Sequence, residues 1–192
     1  MEIVRGLGGI VRTSEALRAG IHPRTLYDLR DSGELERMSR GVYRLAGLPL
    51  LNDPDLATVA KRIPRGVVCL ISALTVHDLT TQIPHAIHIA IRRGARYPVL
   101  DHPPLRVFLF SPAAFGAGIE ERTVDGVAVR VYSAEKTLAD CFKFRHRLGL
   151  DVAVEALRMY RRRRGANLQD VYEFARVCRV ARVIRPYLEA GL

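Results

Sequence analysis

Apolar and polar positions follow two different periods within the first 45 residues. Residues 13–20, Thr-Ser-Glu-Ala-Leu-Arg-Ala-Gly, combine a polar start with a glycine stop, the marks of a short helix. Ile21-His22-Pro23 then re-aims the chain, because proline suits the first position of a new helix. The spacing predicts that helix over residues 23–32. Leu26 and Leu29 face inward, while Arg24, Thr25, Tyr27, Asp28 and Arg30 take the other face. Gly33 closes it. Residues 35–38 and 41–45 read as two short strands around Ser39-Arg40, with Arg37, Arg40 and Arg44 on or beside the turn. Ahead of these elements, residues 1–7 form a first helix packed through Ile3, Val4 and Leu7. Gly8-Gly9 ends it, and Ile10-Val11 adds a strand to the hairpin.

Between residues 46 and 52, Gly47 and Pro49 break the periodicity, which predicts a domain of residues 1–48 and a second of 49–192. Asp53 caps the next helix, with Pro54 at its first position and Leu56, Val59, Ala60 and Ile63 at helical spacing. Residues 67–71 form an apolar strand, and Ser72 is placed to cap a helix through Leu79. Two further strands lie at 86–92 and 105–110. In the first, Ile87, Ile89 and Ile91 share one face. Asp125-Gly126 joins 120–124 to 127–132 as a hairpin, since both turn positions tolerate positive φ. From Ser133 onward the pattern is helical. Ser133 caps a helix through Leu148 that turns Leu138, Cys141 and Phe142 inward. A second, from Asp151, buries Ala153, Ala156, Leu157 and Tyr160. Asn167, with Asp170 three residues on, opens a third, and Pro186 kinks or ends the last helical stretch. The expected fold class is α+β, an N-terminal winged helix-turn-helix followed by a mixed α/β domain ending in helices.

Chemistry sharpens that expectation. A single helix fits the major groove of DNA, where base edges are distinguishable, and arginines on a hairpin reach phosphates or the minor groove beside it. The residues expected to contact DNA are His22, Arg24, Thr25, Tyr27 and Arg30 on the second helix, and Arg37, Arg40 and Arg44 on the wing. The chain carries a formal charge of +10, which invites a polyanionic partner. Most of the excess lies late, because residues 126–192 hold fourteen Lys/Arg against seven Asp/Glu. Arg158, Arg161, Arg162, Arg163, Arg164, Arg176, Arg179, Arg182 and Arg185 form a candidate second basic surface, for phosphates or for an acidic protein. Cations at a helix C-terminus also suit its dipole, so the run 161–164 has a purely local explanation as well.

Other classes find less support. Cys69, Cys141 and Cys178 are odd in number, far apart and set among apolar neighbours, so reduced core thiols are expected. His77, His85 and His88 are the closest histidines. His85 and His88 fall on opposite faces of a strand, the wrong geometry for a metal. No metal or cofactor is expected. There is no Walker loop, no G-x-S-x-G elbow and no acidic pair with a partnering lysine at strand spacing, so an enzyme is the weaker alternative. No long uncharged apolar run and no leader are visible, which predicts a cytoplasmic protein without a membrane span. A protein-interaction adaptor is the remaining alternative.

The run Ile21-His22-Pro23-Arg24-Thr25-Leu26-Tyr27, continuing through Gly33-Glu34-Leu35 to Arg40-Gly41-Val42-Tyr43-Arg44-Leu45, resembles the winged helix of AbiEi-type antitoxins. These are transcription-regulating antitoxins of abortive-infection, type IV toxin–antitoxin systems. Ile71-Ser72-Ala73-Leu74 with His77-Asp78-Leu79-Thr80, and residues 132–140, resemble later segments of the same family, so the likeness runs along nearly the whole chain. It implies a repressor of its own operon that binds double-stranded operator DNA, with inverted repeats expected, as monomer or dimer. It also implies a protein that counters a nucleotidyltransferase-type toxin without a stable complex. One departure is His22, where the family usually offers a small hydroxyl residue as helix cap. Imidazole can cap a helix or touch a phosphate.

Overall fold

The computed structural model describes residues 1–190. They form an α+β protein whose contacts divide it into two compact units that interleave along the chain. The first unit comprises residues 1–64, 98–104 and 122–129. The second comprises 65–97, 105–121 and the chain from 130 onward. A cut at residue 48 follows chain order, whereas these units do not.

In the first unit the order is α1 (Glu2–Gly6), β1 (Ile10–Arg12), α2 (Thr13–Arg18), α3 (Pro23–Asp31), β2 (Leu35–Ser39), β3 (Val42–Leu45) and α4 (Pro54–Arg62). The strands make an antiparallel sheet in the order β1-β3-β2, with Val11 opposite Tyr43 and Leu35 opposite Leu45. All four residues of β3 are buried, because both faces of the sheet are covered. Tyr43 and Leu45 join Val4, Val11, Ala16, Leu26 and Leu35 in one cluster. Val42 and Ile10 meet Ala57 of α4 and Val127 in another. Of the three residues expected to pack α1, only Val4 is buried; Ile3 and Leu7 remain 43% and 38% exposed. A helix of five residues has room to turn only one side chain into a core.

Local chemistry sets the ends of these elements. Glu15 Oε2 accepts from the Arg12 backbone N–H (2.9 Å) at the start of α2 and from Lys61 Nζ (3.2 Å). Asp53 Oδ1 accepts from the Leu56 N–H (2.8 Å) and caps α4, whose first residue is Pro54. The carboxylate of Asp125 accepts from the backbone of Asn52 (3.0 Å) and Asp53 (2.8 Å). Although burial opposes it, this set of bonds holds the Asp125 carboxyl below its usual range.

The second sheet is five-stranded and mixed, in the order β6-β5-β4-β8-β7, and residues 122–129 of its β7–β8 hairpin count with the first unit. The elements of this part of the chain are β4 (Val67–Val68), α5 (Leu70–Val76), β5 (Ile87–Arg92), β6 (Leu105–Phe110), α6 (Pro112–Gly116), β7 (Ile119–Val124) and β8 (Val127–Tyr132). They are followed by α7 (Ala134–Lys143), α8 (Arg145–Leu148), α9 (Leu150–Arg161), α10 (Leu168–Val177) and α11 (Ala181–Glu189). The turn between β7 and β8 is Asp125-Gly126, both at positive φ (51° and 75°). Ser133 caps α7, accepting from the Lys136 N–H (3.2 Å), and Asn167 Oδ1 caps α10 through Gln169 (3.1 Å) and Asp170 (3.2 Å).

Two expectations change here. The strand begun at Val67 lasts two residues, because the chain turns at Leu70 (φ 50°) and α5 starts there with Cys69 as its flanking residue. Ser72 therefore lies inside α5 rather than at its start, and its hydroxyl accepts from the His88 N–H (2.9 Å). The helix expected from Ser133 to Leu148 breaks at Phe144 into α7 and α8. Pro186 falls within α11.

Candidate nucleic-acid interface

The sequence His22-Pro23 starts α3 by two means at once. Pro23 takes a position whose N–H would have no partner in the helix, and His22 Nδ1 accepts from the Arg24 N–H at 3.2 Å. Imidazole thus stands in for the hydroxyl cap, which requires Nδ1 to be unprotonated. Leu26 is fully buried and anchors the helix, while His22, Arg24, Thr25 and Tyr27 are exposed along it. Arg30 is less free. Its Nε donates to Asp31 Oδ1 (2.7 Å), and its guanidinium lies 5.1 Å from the centre of the Tyr27 ring. The outward face of α3 therefore begins with an uncommitted arginine and ends with one tied to an acid.

On the hairpin of β2 and β3 the three expected arginines separate. Arg37 and Arg40 are exposed on β2 and at the turn. A register shift between Arg37 and Ser39 marks a bulge, a device that re-aims side chains next to a turn. Arg44 is different, only 8% exposed. It alternates with Tyr43 along β3 and so shares Val42's covered face. Its guanidinium donates to Glu36 Oε2 (3.3 Å), to the Leu48 carbonyl (2.7 Å) and to the Pro49 carbonyl. The structure thus places Arg44 as a clasp between the hairpin and the chain that leaves it, away from Arg37 and Arg40. An arginine missed in the sequence joins that pair instead. Arg62, in the last turn of α4, reaches the hairpin turn, where its Nη1 would lie 3.8 Å from a Cβ built on Gly41.

In the second unit the nine arginines of the basic surface lie on α9, α10, α11 and the turns between them. Arg161 donates to the carbonyls of Tyr187 (3.4 Å) and Leu188 (2.9 Å), near the C-terminal end of α11. Arg176 pairs with Glu173 (3.1 Å) and Arg185 with Glu189 (2.6 Å). Among the described residues Arg158, Arg162, Arg163, Arg164, Arg179 and Arg182 have no carboxylate partner.

Sequence reasoning also missed an ion pair in the core. Lys136 and Asp140, four apart on α7, are both fully buried, with Nζ 2.5 Å from Oδ2. The lysine sits over the Tyr132 ring (4.1 Å), and Cys178 donates its thiol proton to Asp140 Oδ1 (3.2 Å). Burial pushes the Asp140 carboxyl above its usual range against the pull of Lys136. The visible signal was the i, i+4 spacing of opposite charges on a helix that also turns Leu138, Cys141 and Phe142 inward. Enclosed on all sides, this cluster holds α7 and α10 together and offers nothing to a substrate. All three cysteines are buried free thiols, and burial pushes each one up. Of the histidines, His77 Nε2 meets the Tyr132 carbonyl (2.7 Å). Burial lowers His88 to about 4, and His85 is exposed.

The molecule is thus an α+β protein that presents an outward helix beside a basic hairpin. Residues 1–46 match the model of the family described as "Transcriptional regulator, AbiEi antitoxin", the family that the motifs around His22 and Gly41 resemble. That family is one of regulatory antitoxins and not of enzymes. The crystal structure of the RV2827C protein from Mycobacterium tuberculosis has a similar fold, with a TM-score of 0.55 at 16% identity. The likeness covers 97% of this chain and 79% of that one. No curated protein matches the sequence. Among the described residues no helix is long and apolar enough to cross a membrane.

Proposed function

We propose that the first unit is a winged helix-turn-helix that reads operator DNA. In this reading α2 and α3 are the helix pair, α3 is the recognition helix, and β2–β3 is the wing. One observation carries it: α3 starts on a capped, exposed N-terminus with Arg24, Thr25 and Tyr27 facing outward, beside a hairpin whose Arg37 and Arg40 are also open. Recognition helices place N-terminal residues of this kind on base edges while wing arginines take backbone or minor groove. His22 serves as cap and can still face a phosphate through Nε2. Arg30 contributes farther along α3 on release from Asp31, and Arg44 supports the wing from behind.

The match over residues 1–46 supports a regulatory antitoxin role. On that basis we assign the chain as a cytoplasmic type IV antitoxin that represses its own operon and counters a nucleotidyltransferase-type toxin without a stable complex. Inverted repeats in the operator would bring two copies to one site.

The test is a gel-shift titration of the purified protein on its own upstream DNA at several salt concentrations, with Arg24→Ala and Arg40→Ala beside it. Specific, salt-sensitive binding that either change weakens supports the reading. Equal binding to any DNA, unmoved by both changes, transfers the contact to the C-terminal arginines. Absence of binding overturns the regulator reading in favour of a protein partner.

A further inference from the structure

Within the first unit a cleft of about 450 Å³ opens between the hairpin, the end of α4 and the segment Val99–His102. Arg37, Ser39 and Arg40 line it from the hairpin and Arg62 from α4. The opposite wall carries Asp101, which is exposed, and His102, whose Nε2 lies 3.6 Å from Asp55 Oδ1. Two residues that line this cleft each carry a buried side-chain group with no hydrogen-bond partner, Ser39 Oγ and Arg62 Nε; Arg44 Nε and His88 Nδ1 are such groups outside it. Among the described residues no carboxylate pairs with Arg37, Arg40 or Arg62. A guanidinium N–H withdrawn from water without an acceptor is costly, and native structures reserve such groups for a ligand or an ordered water. Three guanidinium groups around one space call for an acceptor with several oxygens and full negative charge. A phosphoryl group fits that better than a single carboxylate oxygen.

We propose that this cleft is a phosphate site, with Arg62 and Ser39 as its inner ligands and Arg37 and Arg40 as its outer pair. The phosphoryl group comes either from the DNA backbone beside the wing or from a free phosphorylated small molecule. The DNA source rests on the DNA-reading proposal above; the site itself does not. If the source is DNA, one more phosphate is neutralised by a residue outside the helix-turn-helix and wing, and affinity rises without added base specificity.

Side-chain ¹⁵N spectra of the full chain test the site first, with inorganic phosphate as the probe and chloride at matched ionic strength as the control. Saturable movement of the Arg62 Nε–H signal by phosphate and not by chloride is expected, weakened in Ser39→Ala. DNA binding by Arg62→Met, which keeps most of the apolar stem, supplies the second readout. Upstream and scrambled DNA should weaken by the same factor, and the slope of log K against log salt should become shallower by about 0.9. Displacement of bound phosphate by upstream DNA assigns the source to the backbone. Simultaneous binding of both assigns it to a free phosphorylated ligand. Phosphate binding in a protein that ignores DNA keeps the site and ends the DNA reading. An Arg62 signal indifferent to both phosphate and DNA overturns the proposal. An Arg62→Met protein with wild-type DNA affinity and slope removes the DNA source, and one that also binds phosphate like wild type overturns the site. If that variant fails to fold, the wild-type and Ser39→Ala phosphate titrations decide alone.

Discussion

The hairpin beside α3 and the packed face of α7 both carry cationic side chains, and they use them in opposite ways. Lys136 is enclosed with Asp140, Cys178 and Tyr132, each donor matched to an acceptor. Arg37 and Arg40 stand open, and Arg62 keeps a buried N–H without a partner. Charge that is satisfied inside the protein builds structure, whereas charge left without an acceptor is free to meet another molecule. Arg44 brings the first outcome into the same hairpin, where bonds to Glu36 and Leu48 turn an expected contact into an internal clasp. Counting charge alone points to the C-terminal helices. Six arginines there also lack a carboxylate partner, but it is at the wing that Arg37, Arg40 and Arg62 line one cleft.

Breaking the enclosed pair has the largest expected effect. Asp140→Ala strands a buried lysine and should lower stability by about 3–5 kcal/mol in chemical denaturation. The double change Lys136→Met with Asp140→Leu should recover much of that loss, because well-packed apolar residues often replace a buried pair without cost. Truncating the open cations should leave folding nearly untouched and act on DNA. Arg24→Ala or Arg40→Ala should each reduce upstream-DNA affinity by about 1–3 kcal/mol in an anisotropy titration, with stability changed by less than about 0.5 kcal/mol.

Two smaller effects sharpen the contrast. His22→Ala should cost about 0.5–2 kcal/mol of stability through loss of the cap, while His22→Ser, which restores a capping oxygen, should not. Asp125 supplies the pH signature. Its folded carboxyl is held below its usual range, so its contribution is present above the ordinary value of 3.8 and is lost as pH falls through the folded value. Wild type should therefore lose more stability than Asp125→Asn between neutral pH and about pH 3, measured by denaturation across that range.

The features legible in the sequence were those that neighbouring residues decide among themselves. His22 before Pro23, Asp53 before Pro54 and Asn167 each fix a helix start through bonds spanning two or three residues, Asp125-Gly126 turns a hairpin by its positive φ angles, and the structure has all four. The exposure of Arg24, Thr25, Tyr27, Arg37 and Arg40 in the candidate site was legible for the same reason, being set by helical and hairpin spacing. The features that escaped depend on distant segments. Arg44 is buried because residues 48–49 fold back over its strand, and Ser72 is taken from its capping role by the backbone of His88, sixteen residues away. Arg62 and His102 face one cleft although forty residues separate them. Lys136 and Asp140 are only four apart, yet their spacing gives no sign of the strand and helix that enclose them.

Hydrogen–deuterium exchange of the full chain, with and without its upstream DNA, tests most directly which set of cations meets the nucleic acid. Protection concentrated in α3 and the β2–β3 hairpin, residues 22–45, is the predicted result. Protection confined to residues 158–185, or none at all, would contradict it.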